Sequence, residues 1–508
     1  MTRTAAPAMM VRHRPVLEVL IPRLHSRPVR ATALVVVALA AVFVAYWHLG
    51  RPTIVNDEFV YLRASWAYVH GNFSLNLEHP PLAKYVYGVA QLLVGQGPLG
   101  PRLVAATAML GTGVVLFLWL RREVGFWTGL TAAAMWWLTP RGSGSSWAEA
   151  GSVIGVRIDR FAMLEPLMVF FAVASLAAAW RWMRTGNRWW VAAAGALLAL
   201  SVTSKVSTAV LVLAVGALPL LFRRWRDLGV GALYGGVAFV VVFVVVYLPV
   251  GLFAAIGQML RFQAQQNAHG HPTTILGTIY PAAPWWANFA FLADGTGWLL
   301  LTVLTIGVVA ALVVRPDRLV AYLGIALGVF LVFYVIVANV SLPYYYDAWM
   351  PFIIALAAIG YGRLATVRPP LGRITAAVLV AALLIPVARL GVAVVQTRPS
   401  GIALLSDALK VRGHDSEGVL FSQFSANTWR IYFGDRGSMR PENGPFDAVV
   451  VGSDTRRTMP EQVRTFLDEH AAELQHFRLD YLDVYVPRQG IIEDNNRDGT
   501  LRVEPDAR

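Results

Sequence analysis

Two adjacent carboxylates, Asp57 and Glu58, are the residues with the clearest capacity for chemistry in this chain. A carboxylate within reach of an acceptor hydroxyl can take its proton as a general base. One short loop later comes His79-Pro80-Pro81-Leu82-Ala83-Lys84, which adds an imidazole and an ammonium. An ammonium beside a phosphate steadies the negative charge that builds on a departing oxygen. Each group also has an ordinary explanation. Asp57 could cap a helix beginning at Phe59, and Lys84 could snorkel to a membrane interface.

Further candidates follow along the chain. Arg157-Ile158-Asp159-Arg160 leads to Glu165-Pro166 inside an apolar run. An ionisable residue within a span calls for a named partner, and Arg160 and Lys205 are the two on offer. Ser204-Lys205 could meet an anionic lipid headgroup. The stretch 254–296 carries Arg261, His269, His271, Trp285 and Trp286. The two histidines are spaced so that a metal is conceivable, or are plain loop groups. The tryptophans suit an interfacial belt or a stacked sugar. Tyr344-Tyr345-Tyr346-Asp347 reads as belt aromatics with one acid.

The elements that hold these groups are membrane spans. Of 508 residues, 56% are hydrophobic and only 14% charged, with a mean hydropathy of +0.55. Apolar runs of roughly 20 residues recur between 32 and 395, which predicts a polytopic α-helical membrane protein. The runs do not alternate, which excludes a porin-like barrel. The net charge of +13 sits in short clusters between runs; that pattern follows the positive-inside rule and argues against nucleic acid. With no cysteine there is no disulfide, thiolate metal site or thiol nucleophile.

The arginines of a basic segment 1–31 place the N-terminus in the cytoplasm, followed by a retained signal anchor. About eleven spans then fit the charge pattern, within a transmembrane unit 32–398. They fall near 32–49, 101–120, 125–139, 161–180, 188–203, 206–222, 229–253, 297–314, 319–339, 348–366 and 374–395. External loops cover 50–100, 140–158 and 254–296, with an interfacial helix from Pro81 to about Val94. A small extracytoplasmic α/β domain covers 399–490. It has strands at Gly418–Phe421, Phe446–Val451 and Phe477–Val486 and a helix at Pro460–Leu474. A charged tail, 491–508, is expected to be disordered. No glycine fingerprint marks a nucleotide site. On this topology Asp57, the external cations and the aromatics share one side of the membrane. A donor that carries its own lipid phosphate suits that side; a nucleotide sugar does not.

These motifs resemble the polyprenyl-phosphate-sugar-dependent GT-C glycosyltransferases, in the branch of protein O-mannosyltransferases and lipid A aminoarabinose transferases. The resemblance rests on Asp57-Glu58, His79 to Lys84, Arg102-Leu103, and Arg160 to Phe171 with Glu165 where the family commonly has Asp. Ser204-Lys205, His271 with Trp285, and Tyr345 agree more loosely. It implies a multi-pass plasma-membrane enzyme that makes an inverting transfer from a polyprenyl-phosphate sugar; the heavy Ala/Val/Arg usage points to a bacterium. Asp57 would be the base and Glu58 would orient the acceptor. Lys84, Arg102, Arg160 and Lys205 would hold the carrier phosphate. His79, Glu165, His271, Trp285 and Tyr345 would line the substrate. Mannose is the favoured sugar, with a pentose next, and the acceptor is a protein, lipid or glycan. No cofactor or metal is required, although a divalent ion is compatible. The competing class is a lipid-linked-sugar transporter or flippase, which would show two related halves and broken helices near midplane; the sequence shows no related halves, and its polar motifs lie at the outer edge of the membrane.

Overall fold

The structure is a computed structural model, describing residues 26–54, 56–142, 157–367, 370–399, 401–424, 426–452, 458–494 and 499–505. Most of the expected 140–158 loop therefore lies outside the described residues.

Long apolar helices dominate. Arg27–Tyr46, Leu99–Glu123, Glu165–Thr185, Asp227–Val250, Arg318–Val337 and Leu371–Val395 are each long and apolar enough to cross a membrane. At 1.5 Å per residue, the 20 residues of Arg27–Tyr46 reach about 30 Å, a bilayer's apolar thickness. A bent pair, Ala287–Thr296 and Trp298–Val313, meets at 111°. Its hinge is Gly297 at φ 79°, a left-handed value that favours glycine. Shorter apolar helices fill the gaps: Leu82–Val94, Arg188–Val202, Val206–Leu221 and Met350–Leu364. Phe126–Leu138 lies between the second long helix and the 140–158 stretch.

Helix ends follow local chemistry. Pro166 sits in the first turn of Glu165–Thr185, where its missing N–H costs nothing, and Gly186 ends that helix at φ 71°. Asn187 caps the next helix by accepting from Trp189 N–H at 3.0 Å. Arg121 and Arg122 close Leu99–Glu123, favourable beside the carbonyl end of the dipole.

Between the first and second long helices the chain forms two short ones, Asn56–Val69 and Leu82–Val94. The second buries Ala83, Lys84, Tyr87, Gly88 and Gln91, while Val89, Leu92 and Leu93 on its other face stay exposed. A Cβ on Gly88 would stand 2.4 Å from Ser65 O, so only glycine allows this close approach. An apolar core under these helices joins Ile54, Phe59, Tyr61, Leu62, Tyr87, Phe161 and Tyr344.

The expected 254–296 loop contains regular structure instead: a helix Leu252–His269, a hairpin of Thr273–Ile275 with Thr278–Tyr280, and the helix Ala287–Thr296. The Leu252–His269 helix has too few apolar residues to resemble a span, and its polar run hid its helicity. It is fixed by Gln263 Nε2 donating to Glu78 O at 3.2 Å and by Asn339 N–H donating to Asn267 Oδ1 at 2.7 Å.

After residue 400 the chain builds a sheet in the order Gly437–Ser438, Gly418–Ser422, Phe446–Val451, Leu482–Pro487, Leu474–Leu479. The first two pairings are parallel and the next two antiparallel. Phe446–Val451 is buried at every position, as a strand covered on both faces must be. The single strand expected at 477–486 is a hairpin turning at Asp480, whose φ is 53°. Helices Ile402–Val411 and Ala426–Phe433 were not anticipated. Within the tail expected to be disordered, Ile491–Glu493 pairs with Arg502–Glu504 and reaches the sheet through Ile492 and Phe446.

Candidate active site

Asp57 and Glu58 share the first turn of Asn56–Val69, and their environments differ sharply. Glu58 is fully buried. It takes both branches of a fork from Arg102, at 2.7 Å each, and accepts from Ala162 N–H at 2.9 Å. Arg102 spends its other N–H groups on Leu49 O at 3.1 Å, Pro52 O at 2.8 Å and Thr53 O at 3.2 Å. Its guanidinium also lies 4.7 Å from the Phe161 ring centroid. The pair thus rivets four segments together. In this conformation Arg102, expected on the carrier phosphate, points all its donors at the protein, because the turn 49–53 has carbonyls without a secondary-structure partner.

Asp57 is half-buried and accepts a hydrogen bond from the Tyr344 hydroxyl. Lys205 forms an ion pair with Glu165, one of the two partnerships considered for it. The Lys205 ammonium lies 3.9 Å from the Tyr345 ring centroid and 5.5 Å from that of Tyr344. Tyr61, Tyr344 and Tyr345 all keep their protons well above the ordinary phenol range, through burial first and then the nearby Asp57 and Glu165 charges. As permanent hydroxyl donors they can hold a carboxylate or a sugar oxygen. Asp57, Tyr344, Tyr345, Lys205 and Glu165 therefore form one cluster, assembled from four stretches of chain.

His79 lies at its edge, with its ring 5.8 Å from that of Tyr61. Burial, with Lys84 and Lys205 nearby, pulls its pKa down to about 3, so it is neutral at physiological pH. Lys84 is completely buried. It donates to His79 O at 2.8 Å and to Asn76 O, with its ammonium 5.1 Å from the Tyr68 ring centroid. Burial lowers its pKa to about 7, partly opposed by Glu78. In this conformation Lys84 closes the 76–79 turn.

Arg160 is 2% exposed and turns toward the first span, donating to Trp47 O. Among the described residues no hydrogen bond, ion pair or ring contact joins it, His271 or Trp285 to the Asp57 cluster. Trp285 is exposed. No three His, Asp or Glu side chains converge as a metal site among the described residues.

Sequence reasoning missed a buried network behind the cluster. Arg141 reaches Asp347 at 3.0 Å and also Asp159, and Arg157 holds Asp159 at 2.5 Å. Its function is positional: Asp347 follows Tyr344 and Tyr345 in the short helical turn 345–348. Arg141, which the expected topology puts in an external stretch poor in cations, was the available signal. Also missed was Tyr432, whose hydroxyl accepts from Ile54 N–H at 3.1 Å just before Asp57.

Residues 35–263 match the model of the dolichyl-phosphate-mannose-protein mannosyltransferase family. The fold matches ArnT from Cupriavidus metallidurans in its apo state, with a TM-score of 0.59, 15% identity, and 90% of this chain and 98% of that chain covered. The fold is thus similar to that of ArnT over most of both chains. The same protein bound to undecaprenyl phosphate matches at a TM-score of 0.58 and 17% identity, covering 89% and 97% of the two chains. The apo oligosaccharyltransferase of Archaeoglobus fulgidus matches at 0.53 and 14% identity, covering 80% of this chain and 63% of that one. No curated protein matches by sequence. The family match spans the Asp57 and Lys205 segments together.

Proposed function

We propose that the chain moves a sugar, with mannose favoured, from a polyprenyl-phosphate carrier to an acceptor hydroxyl, with inversion and with Asp57 as general base. The observation that carries this reading is the division of labour in the acidic pair. Glu58 is consumed by Arg102, whereas Asp57 is half-buried and, among the described residues, accepts from the Tyr344 hydroxyl. Asp57 accepts the acceptor's proton as its oxygen attacks the anomeric carbon. The bond from that carbon to the carrier phosphate breaks, and the electron pair leaves with the phosphate. Tyr344 holds the Asp57 carboxylate in line.

Fixed cations favour the charge that grows on the leaving phosphate. Lys205 stands best for this, beside Tyr345 and Glu165, with Lys84 behind the adjoining turn. His79 and Tyr345 serve as neutral contacts for the sugar. Glu58 and Arg102 are positioning residues in this account. His271 and Trp285, on the hairpin side, would meet the acceptor or the lipid chain.

The reading further takes eleven spans, a cytoplasmic N-terminus, and the site and C-terminal domain outside the cytoplasm. Arg121, Arg122, Arg184 and Arg363 at alternate helix ends support that orientation. That ArnT was observed with undecaprenyl phosphate supports a lipid-phosphate donor here.

The test is donor profiling. Membranes containing the protein are offered polyprenyl-phosphate mannose, glucose and arabinose, and the labelled product is identified with its anomeric configuration. Transfer of mannose with inversion is expected. Preferential transfer of arabinose would move the sugar assignment to a pentose. Movement of intact lipid-linked sugar across the bilayer without transfer would replace the enzyme with a flippase.

A further inference from the structure

The short stretch between the first span and Asp57 is held from two sides. Arg102, on the second long helix, takes the carbonyls of Leu49, Pro52 and Thr53. The other grip comes from the far end of the chain. Tyr432 Oη accepts from Ile54 N–H at 3.1 Å, across 378 residues of sequence. His48 Nδ1 donates to Thr397 O at 3.1 Å, where the last span gives way to the C-terminal sheet. Ile54 is 2% exposed and precedes the helix Asn56–Val69, so no turn of that helix serves its N–H. A buried N–H needs an acceptor, and Tyr432 supplies it.

Tyr432 sits on a short helix, Ala426–Phe433, whose own fold fixes its place. Trp429 and Phe433 are one turn apart and enter the core of the C-terminal sheet. Trp429 stacks on Phe421 with ring centroids 5.1 Å apart, and Phe433 meets the same ring at 5.3 Å. Gly437 makes room for this, since a Cβ there would stand 2.3 Å from the Trp429 ring. The helix is tied at both ends, because it connects the parallel neighbours Gly418–Ser422 and Gly437–Ser438.

Ile431 and Tyr432 of the same helix pack on a second core, with Ile54, Phe59, Phe161 and Tyr344, beneath the Asp57 helix. One helix therefore belongs to two cores at once. A shift of the C-terminal sheet is carried to Ile54, which stands three residues before Asp57. Such a shift matters, because a reacting group displaced by about 1 Å loses on the order of 10²-fold in rate. The family match, over residues 35–263, ends well before this helix.

On the reading of Asp57 as the base, we infer that the C-terminal sheet and its helix Ala426–Phe433 are a working part of the transfer site, with Tyr432 as the positioning residue. Tyr432 touches neither sugar nor phosphate in this role. It fixes Ile54, and so the turn that presents the Asp57 carboxylate to the Tyr344 hydroxyl and to the acceptor. Transfer then depends on the sheet being docked, although its strands bear none of the reacting groups.

A comparison of variants in two backgrounds tests it. Membranes with equal amounts of full chain receive the labelled donor that the wild type uses, among polyprenyl-phosphate mannose, glucose and arabinose. Release of label from the carrier is followed against donor concentration. Tyr432→Phe keeps the ring and should lower the saturating rate by about tenfold, with the half-saturating donor concentration unchanged. Ile431→Ala keeps the hydroxyl and loosens the packing; it should lower the rate as well, and it covers a folding failure of the first variant. Gel filtration and circular dichroism of the purified chains show which variants are folded. In an Asp57→Asn background neither variant should reduce the residual rate further, because no base is left to position. A merely structural role would give the same fold loss in both backgrounds. That result, or a folded Tyr432→Phe chain at the wild-type rate, overturns the coupling and leaves Asp57 as the base. A wild-type rate for Asp57→Asn alone overturns the base and the coupling with it.

Discussion

Replacing Glu58 and Arg102 by leucine, singly and together, separates a positioning pair from a catalytic one. Arg102→Leu removes three bonds to the carbonyls of Leu49, Pro52 and Thr53 and leaves Glu58 buried without its cation. Breaking a buried pair from one side costs about 3–5 kcal/mol. The three abandoned carbonyls add about 1 kcal/mol each. Glu58→Leu leaves Arg102 with those carbonyls but no counter-charge, for about 3–5 kcal/mol again. The double variant has no orphaned charge, so only the carbonyl loss and the unpaired Ala162 N–H persist, at about 4 kcal/mol together. The double variant is therefore expected to be more stable than Arg102→Leu alone, with a coupling of several kcal/mol. Thermal unfolding in detergent reads the order. Transfer stays low in all three, because the Asp57 turn loses its anchor. Additive losses, or a double variant less stable than Arg102→Leu, would refute the rivet. So would a stable Glu58→Leu protein whose activity loss tracks only the missing carboxylate.

Three further outcomes follow from the same geometry. Tyr344→Phe removes the hydroxyl that holds Asp57 and should lower the transfer rate at saturating donor by about tenfold, with unfolding temperature nearly unchanged. Tyr432→Phe leaves the buried Ile54 N–H unpaired; a cost of about 1–3 kcal/mol is expected, read as slower transfer while the C-terminal sheet remains folded by circular dichroism. Burial raises Asp347 to about 7, with Arg141 opposing and Asp159 adding to the rise. A carboxyl raised above its unfolded value contributes stability that is lost as pH climbs through that window. The wild type's melting margin over Asp347→Asn should therefore be larger at pH 5 than at pH 8; a margin that grows with pH would reverse the assignment.

The bundle was legible because hydropathy reports burial in lipid directly. Spans and basic helix ends such as Arg121-Arg122 need no tertiary information. Asp57-Glu58 and His79 to Lys84 also stood out, since charges are rare in so apolar a chain. Which carboxylate is free was not legible. That depends on Arg102 collecting the carbonyls of the 49–53 turn together with Glu58, and no local spacing encodes such a meeting. The pairing of Glu165 with Lys205 was within reach, because a charge inside a span restricts its partners. Arg160 and Lys205 were both on offer as partners of Glu165, and the short turn 158–160 carries Arg160 to the first span, where it donates to Trp47 O. The helix Leu252–His269 escaped notice because its polar face suits water and hydropathy alone does not register it.

The most direct measurement is the transfer rate of purified Asp57→Asn from a polyprenyl-phosphate sugar, beside its melting temperature. Asparagine keeps the shape and can still accept from Tyr344, but it cannot take a proton. A rate lower by about 10²–10⁴-fold is expected, the contribution of a positioned general base, with donor binding and melting unchanged. Transfer at the wild-type rate would contradict the account at its centre.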